Sequence, residues 1–368
     1  MKVLLFPAYH GSPDRHGGTR RSDQLVEAIA AANPGRTDVV SLYRLTACKR
    51  PRIGEFIALV PRAIGLVLAG RISVWGMLRY MYRGPYIRRA IRHSKPNVII
   101  FECAPEWPLL VCDLVVTSRI PCYIAPSNIE FLVPDQKQRS FPSAHAATAW
   151  EMDLLRSATG SICISSFDAA VVRCLQAKAI HFPYYPPQVI RDELEIIASE
   201  RRTRASVKRT LLVAGTAINP PTREGMRRLL CGLDVTALRQ AEMEVVVAGF
   251  GTESLASLVN SDRIRILGSV SDHTMRELMI GCCGLLISPE QTSGFITRLA
   301  DANIAGIPVF VLGDYTQAEH LEAYGIVKID SPSQAFEPQN RTHVNVARLS
   351  SPDIDMLQAS LLISRGIK

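Results

Sequence analysis

Short apolar runs recur along this chain, and longer segments with a helical pattern separate them. Strands that alternate with helices form a parallel sheet, because a crossover is needed to bring the chain back to the start of the next strand. Two such series follow one another, so the sequence predicts an α/β protein with two Rossmann-like parallel sheets of similar size. The runs are KVLLF, DVVSL, NVIIFE, PCYIA, GSICIS and AIHF in the first half, and RTLLVAG, MEVVVAG, RIRILG, CGLLIS, IPVFV and GIVKI in the second.

The length and the position of one charged stretch indicate where the domains divide. A chain of 368 residues is long enough for two domains. We assign 1–187 to an N-terminal domain and 188–208, which is densely charged and follows FPYYPP, to a linker. A C-terminal domain spans 209–345, and a final helical segment, 346–368, could cross back to the N-terminal domain. Ligands of parallel sheets bind at the carboxyl ends of the strands, which predicts a site in a cleft between two facing sheets.

The positive charge of the chain is concentrated in its first half. Of the net charge of +8, residues 1–187 contribute 23 Lys and Arg against 13 Asp and Glu, and the rest contribute 19 against 21. Segment 48–93 has ten basic residues and one acid among apolar and aromatic residues. Such a basic amphipathic segment predicts contact with an anionic membrane surface, although two core helices with solvated basic faces would give the same pattern. Nucleic acid is not expected as a partner, because no recognisable nucleic-acid-binding motif accompanies the positive charge.

Composition favours a globular protein of the cytoplasm. Hydrophobic residues make up 47% and charged residues 21% of the chain. Its nine cysteines form no CxxC pair, which fits a reducing compartment, and no apolar run approaches the roughly 20 residues of a membrane-spanning helix. The first residues read as a β-strand rather than a signal peptide. We therefore expect a cytoplasmic protein, peripheral on the inner face of the membrane.

Segment 282–309 carries the most specific signal for a ligand. It reads as a buried strand, a polar loop with Gly294, and a helix with Arg298 and Asp301. The start of a helix offers backbone N–H groups to an anion, and an arginine three residues before an acid can bind phosphate while the carboxylate accepts sugar hydroxyls. The pattern therefore outlines a site for a nucleotide sugar.

This segment resembles the donor-binding motif of retaining glycosyltransferases of the GT-B fold, in particular glycosyltransferase family four. The resemblance implies that Arg298 stabilises the leaving diphosphate, that Asp301 holds the ribose, and that Gly294 and Phe295 present backbone donors. Ser293 stands where one form of the motif has a glutamate. The matching residues are Pro289, Gly294, Arg298, Asp301, Ala302 and the run 306–309.

Four further places match the same family in order. Gly17 and Gly18 precede Arg20 and Arg21 after the first strand, where a simple turn is the alternative to a phosphate or acceptor role. The triplet 128–130 resembles the His-Asn-Ile-Glu motif, with Ser127 at the histidine position. In the second half, the turns 215–222 and 249–251 match the loops around the donor. The resemblance implies catalytic roles for Arg298, Gly18 and Arg21; donor binding by Gly215, Thr216, Gly251, Ser293, Gly294, Phe295, Arg298 and Asp301; and acceptor-side roles for Gly17, Gly18, Arg20, Asn128 and Glu130.

The expected function is transfer of a sugar from a nucleotide diphosphate sugar to a glycan or lipid-linked acceptor, with retention of configuration. We expect no cofactor and no metal, since neither HExxH nor a cysteine cluster is present. Two alternatives remain open. One is a degenerate GT-B protein that binds a nucleotide or glycan at the membrane without turnover, and the other is a nucleotide-sugar epimerase on the same fold.

Overall fold

A computed structural model of the chain shows two compact units. The first consists of residues 1–185, 293–295 and 351–368, and the second consists of residues 186–292 and 296–350. The residues that the structure describes are 1–12, 17–45, 51–133, 138–204, 209–289, 293–313, 326–336 and 351–363.

The first unit is built on a six-stranded sheet in which every strand pair is parallel. The order of the strands is β2-β1-β3-β4-β5-β6. Their bounds are β1 Val3–Phe6, β2 Thr37–Val39, β3 Val98–Cys103, β4 Cys122–Pro126, β5 Gly160–Cys163 and β6 Ala179–His181. The helices of this unit are α1 Gly17–Ala32, α2 Ile53–Ile57, α3 Val60–Leu68, α4 Val74–Ser94, α5 Trp107–Val116, α6 Ala144–Ser157, α7 Ser166–Cys174 and, near the end of the chain, α13 Ile354–Ile363.

Both faces of this sheet are covered, as a parallel sheet requires. Leu4 and Phe6 of β1 point to one face and join a core with α4, α5 and α6. Val3 and Leu5 point to the other face and join a core with α1 and α13. Because successive side chains alternate across a strand, the fully apolar run of β1 supplies both cores.

The second unit has a sheet of the same kind, again with parallel pairs throughout. Its order is β12-β11-β10-β7-β8-β9. The two parallel sheets predicted from the sequence are thus confirmed. The strands are β7 Thr210–Ala214, β8 Glu244–Ala248, β9 Ile264–Gly268, β10 Gly284–Ile287, β11 Val309–Leu312 and β12 Ile326–Ile329; the helices are α8 Gln188–Thr203, α9 Pro220–Cys231, α10 Val235–Gln240, α11 Asp272–Gly281 and α12 Thr297–Ile304.

Most of the segment that the sequence predicts as a linker, 188–208, is helix α8. Leu194, Ile197 and Ala198 form a buried stripe on this helix. Arg201, which contributes to the charge that suggested a linker, donates through Nη1 to three backbone carbonyls at the end of α11 and just beyond, at 2.6 to 3.1 Å. The helix is therefore an integral part of the second unit, because its charged residues lie around an apolar stripe and one of them satisfies carbonyls at a helix end.

Candidate functional site

In the second unit, two glycine turns lie side by side at the carboxyl ends of β7 and β8. Gly215 follows β7 and Gly249 follows β8, and the amide of Gly215 donates to the carbonyl of Ala248 at 3.1 Å. A Cβ atom on Gly249 would lie 2.0 Å from the carbonyl oxygen of Gly215. Gly251 opens the next turn with a φ of +81°. Only glycine allows the two backbones to approach this closely.

Arg298 lies against the first of these turns. It is the second residue of α12, and a Cβ atom on Gly215 would lie 2.1 Å from its Nη1 atom. The N-cap residue of α12, Ile296, makes no side-chain capping hydrogen bond, and the first turn of the helix has no acidic residue. The positive end of a helix together with a guanidinium group favours an anion at this edge of the sheet.

Two other residues predicted for the donor lie in the second unit. Thr216 is half-buried, and its carbonyl accepts from the amide of Asn219 at 3.3 Å. Asp301 is buried on α12, three residues after Arg298. Residues three apart on a helix share a face, so the cation and the carboxylate lie next to each other along α12.

In the first unit, Gly17 and Gly18 are the first two residues of α1. Arg20 is half-buried, whereas Arg21 is only 2% exposed. Arg21 donates through Nη1 to Gln24 Oε1 at 2.6 Å, and its guanidinium carbon lies 5.6 Å from the centre of the Phe182 ring. Burial lowers the pKa of Arg21 to about 10, so it keeps its charge at neutral pH.

Glu102, to which no sequence motif points, organises the end of β1. It is buried near the end of β3 and accepts from the amide of Ala8 at 2.7 Å and from Ser22 Oγ. The same Ser22 hydroxyl accepts from the amide of Tyr9 at 2.9 Å. Burial raises the pKa of Glu102 to about 7. An acid inside the apolar run NVIIFE was the available signal, because a charge is rarely placed in a central strand without a partner.

Glu130 and Glu151 form a buried acidic pair in the first unit. Glu151 of α6 accepts from the amides of Glu130 and Phe131 at 2.8 and 2.9 Å. Burial raises the pKa of Glu151 to about 7, and it raises the pKa of Glu130 well above its ordinary value, with the charge of Glu151 adding to the effect. Burial thus favours the protonated form of both carboxyl groups relative to an exposed glutamate.

The short turn Ser293–Phe295 belongs to the first unit. Ser293 Oγ accepts from the amide of Ile129 and donates to Asp168 Oδ1 at 3.0 Å, and the amide of Gly294 donates to Asp168 Oδ2 at 3.1 Å. A Cβ atom on Gly294 would lie 2.0 Å from Asn128 Oδ1. The Gly294 amide that the sequence assigns to a ligand thus already has a carboxylate acceptor, because Asp168 lies directly beside it.

The residues predicted for the site therefore lie in two groups, one in each unit. Arg298 lies on the Gly215 turn, with Thr216 and Gly251 in neighbouring turns of the second unit. In the first unit, Asn128 meets Ser293 and Gly294, while Gly17 to Arg21 start α1. Within the described residues, no group of three or more His, Cys, Asp or Glu could hold a metal ion.

Comparison with known proteins gives a fold but no family. No family model matches the chain, and no curated protein matches it. Solved structures match over nearly the whole length. Anabaena Alr3699/HepE in complex with UDP and glucose is 12% identical, with 100% of each chain covered and a TM-score of 0.60. WaaG, a glycosyltransferase involved in lipopolysaccharide biosynthesis, is 13% identical over 99% of this chain and 94% of its own, with a TM-score of 0.54.

A protein of another reaction class has the same fold. UDP-GlcNAc 2-epimerase from Neisseria meningitidis, bound to UDP-GlcNAc, is 12% identical over 99% of this chain and 100% of its own, with a TM-score of 0.55. At such low identity a match shows the fold alone, and the fold is GT-B, as the sequence predicts. Transferases and epimerases share it, so the reaction has to be argued from the residues.

Proposed function

We propose that this protein is a glycosyltransferase that moves a sugar from a nucleotide diphosphate sugar to a glycan or lipid-linked acceptor, with retention of configuration and without a metal. The observation that carries the proposal is the position of Arg298, at the start of α12 and against Gly215. Departure of a nucleoside diphosphate develops negative charge on phosphate oxygens. A fixed guanidinium group and the start of a helix stabilise that charge in place.

In this proposal the configuration is retained because the acceptor hydroxyl attacks the sugar on the same face from which the diphosphate leaves. The leaving phosphate accepts the proton of the acceptor hydroxyl, so no protein nucleophile is needed. Asp301 holds the ribose, and Gly18 and Arg21 take catalytic roles. Arg21 suits this role because its buried guanidinium group stays protonated at neutral pH.

Replacement of Arg298 tests the proposal. We expect Arg298→Ala to lower turnover by about 10² to 10³, the usual effect of losing one preorganised donor to a developing anion. The matched control is Arg239→Ala, which removes an arginine of the same unit whose partner is the exposed Asp262. Product formation is followed by NMR, which also gives the anomeric configuration. Unchanged turnover in Arg298→Ala would remove this residue from the mechanism, and an inverted product would rule out retention.

Epimerisation is a second candidate, and the buried carboxyl groups favour it. Glu102 and Glu151 have pKa values raised to about 7, so each can hold or release a proton near neutral pH. Proton transfer by such groups is what an epimerase requires. Incubation of the protein with a nucleotide sugar alone separates the two reactions. An epimerised sugar formed without acceptor supports the epimerase, whereas product formed only with acceptor supports the transferase.

We also propose that helices α2 to α4 bind an anionic membrane surface. Large apolar side chains protrude there, with Ile53 78% and Leu68 82% exposed. The single acid of the segment, Glu55, is paired with Arg92 and Arg89, so the positive charge dominates. No helix in the described part of the chain is long and apolar enough to cross a membrane. The other exposed apolar residues of this surface are Ile57, Ile64, Val74, Trp75, Leu78 and Tyr82.

Flotation with vesicles tests the membrane proposal. The protein should float with vesicles that contain anionic lipid and stay unbound with neutral ones, and added salt should weaken binding because the attraction is electrostatic. Leu68→Asp should reduce flotation at least ten-fold. Val189→Asp, which changes an exposed valine of α8, should not. Equal binding to neutral vesicles, self-association through this surface, or full binding of Leu68→Asp would each contradict the proposal.

A further inference from the structure

Asp168 makes the charged contact to the turn Ser293–Phe295 within the first unit. It lies in the first turn of α7, is 0% exposed, and takes the Ser293 hydroxyl and the Gly294 amide as donors. Its own amide donates to Ser165 Oγ at 3.0 Å, which fixes the start of the helix. The carboxylate is therefore held rigidly on its own element and reaches the turn from there.

The turn that Asp168 contacts has little freedom of its own. Ser293 Oγ also accepts from the amide of Ile129, and the ring of Phe295 lies 6.1 Å from that of Tyr184. Gly294 has a φ of +80°, a conformation that side chains rarely adopt. Each of these contacts restricts the path of the backbone, and Asp168 alone binds two consecutive residues of it.

Burial of a charged carboxylate at this position costs free energy. Burial raises the pKa of Asp168 to about 6, even though Ser165, Ser293, Gly294 and the positive charge of Arg21 on α1 all act to lower it. The charge of Asp168 in turn raises the pKa values of Glu130 and of Glu151 on α6. A neutral side chain would fill the space at lower cost, so the gain from the carboxylate is the pair of charge-assisted hydrogen bonds to the turn.

We propose that Asp168 is a positioning residue of the enzyme: its carboxylate fixes Ser293 and Gly294, so that the segment leading to α12 starts from one backbone conformation. This inference rests on the proposed function and deepens it. Arg298 follows Phe295 by only three residues, so the turn is the immediate approach to the diphosphate-binding group. Misplacement of a reacting group by about 1 Å can cost on the order of 10² in rate.

Amide exchange and kinetics of Asp168→Ala test the inference together. The amide of Gly294 should exchange at least ten-fold faster, because it loses its acceptor. The value of kcat should fall at least ten-fold, whereas the dissociation constant for the nucleoside diphosphate should change less than three-fold, since Gly215 and Arg298 are untouched. Asp192→Ala, which changes an exposed acid of α8, is the control and should leave all three values unchanged.

The conservative variant Asp168→Asn tests whether the negative charge of Asp168 is needed. In the wild type, kcat should fall as the pH drops through about 6, because Asp168 takes up a proton. Asp168→Asn should restore part of the activity lost in Asp168→Ala and should remove this decline. The charge of Asp168 raises the pKa of Glu151, so the same comparison is repeated in the Glu151→Gln background, where a decline lost with Asp168→Asn is assigned to Asp168 itself.

Ser293→Ala keeps the test decisive if Asp168→Ala does not fold. It removes the hydroxyl that joins Asp168 to the amide of Ile129, so it should also speed exchange at Gly294 and lower kcat. Unchanged exchange at Gly294, or kcat within two-fold of the wild type, overturns the inference. If the wild type binds no nucleotide and makes no product, the proposed function fails, and faster exchange in Asp168→Ala would then support only the structural part, that Asp168 holds the turn.

Discussion

Glu102, Glu151 and Asp168 are acids in the core of the first unit, and no sequence motif points to any of them. Each accepts hydrogen bonds from backbone amides, and the positive charge of Arg21 acts on Glu102 and Asp168 as well. Sequence patterns locate acids near strand ends, but burial depends on the elements that pack over them. By contrast, Gly215 and Arg298 could each be predicted, because each lies in its own local motif: the turn 215–222 after a strand, and the loop and helix start of 282–309.

The contribution of Glu151 to the free energy of unfolding should decrease as the pH rises. Its pKa is raised to about 7 in the folded state, so between the ordinary value of 4.5 and 7 the folded protein keeps a proton that the unfolded chain releases. The free energy of unfolding therefore decreases with pH over this window, by at most about 1.4 kcal/mol per pH unit for this group. Glu151→Gln should remove this contribution.

Urea unfolding of the wild type and Glu151→Gln between pH 5 and pH 7.5 measures the effect. The difference in free energy of unfolding should shift in favour of the variant as the pH rises. A difference that stays constant across the range would show that Glu151 titrates alike in the folded and unfolded chains.

At the scale of elements, the strands are the part of the fold that the sequence predicts best. A short apolar run such as VLLF of β1 needs to be buried on both faces, and a parallel sheet meets that need. The sequence predicts a linker where α8 lies, because the charged residues of this helix mask an apolar stripe of only a few residues. The sequence left open whether the last segment crosses back, since its partner surface is formed by residues more than 200 positions earlier, such as Tyr123.

Helix α13 should contribute measurably to the stability of the first unit. Leu357 is 0% exposed and lies in the same core as Leu25 and Ile29 of α1. We expect Leu357→Ala to lower the free energy of unfolding by about 2 to 5 kcal/mol, from lost burial and a residual cavity. Met356→Ala, at a neighbouring position that is 43% exposed, should change it far less. Equal effects of the two variants in urea unfolding would show that α13 is not packed as described.

At the scale of the whole molecule, the GT-B fold limits the candidate reactions but does not identify which one the protein catalyses. Solved structures with this fold include a glycosyltransferase and an epimerase, at 13% and 12% identity. The reaction is therefore argued from the groups of this chain: an arginine on a glycine turn in the second unit, and buried acids beside a buried arginine in the first. The proposed donor site rests on Arg298 and Gly215, two residues named by the sequence motifs that lie against each other in the structure.

Binding of nucleoside diphosphates tests this account most directly. Wild type, Arg298→Ala and Arg239→Ala are heated with uridine, guanosine, adenosine and thymidine diphosphates and their sugar conjugates. A ligand present at 100 times its Kd adds about 2.7 kcal/mol to the stability of the folded state. One nucleotide series should raise the Tm of the wild type and of Arg239→Ala but have little effect on Arg298→Ala. No shift with any nucleotide, or equal shifts in all three proteins, would contradict a donor site built on Arg298.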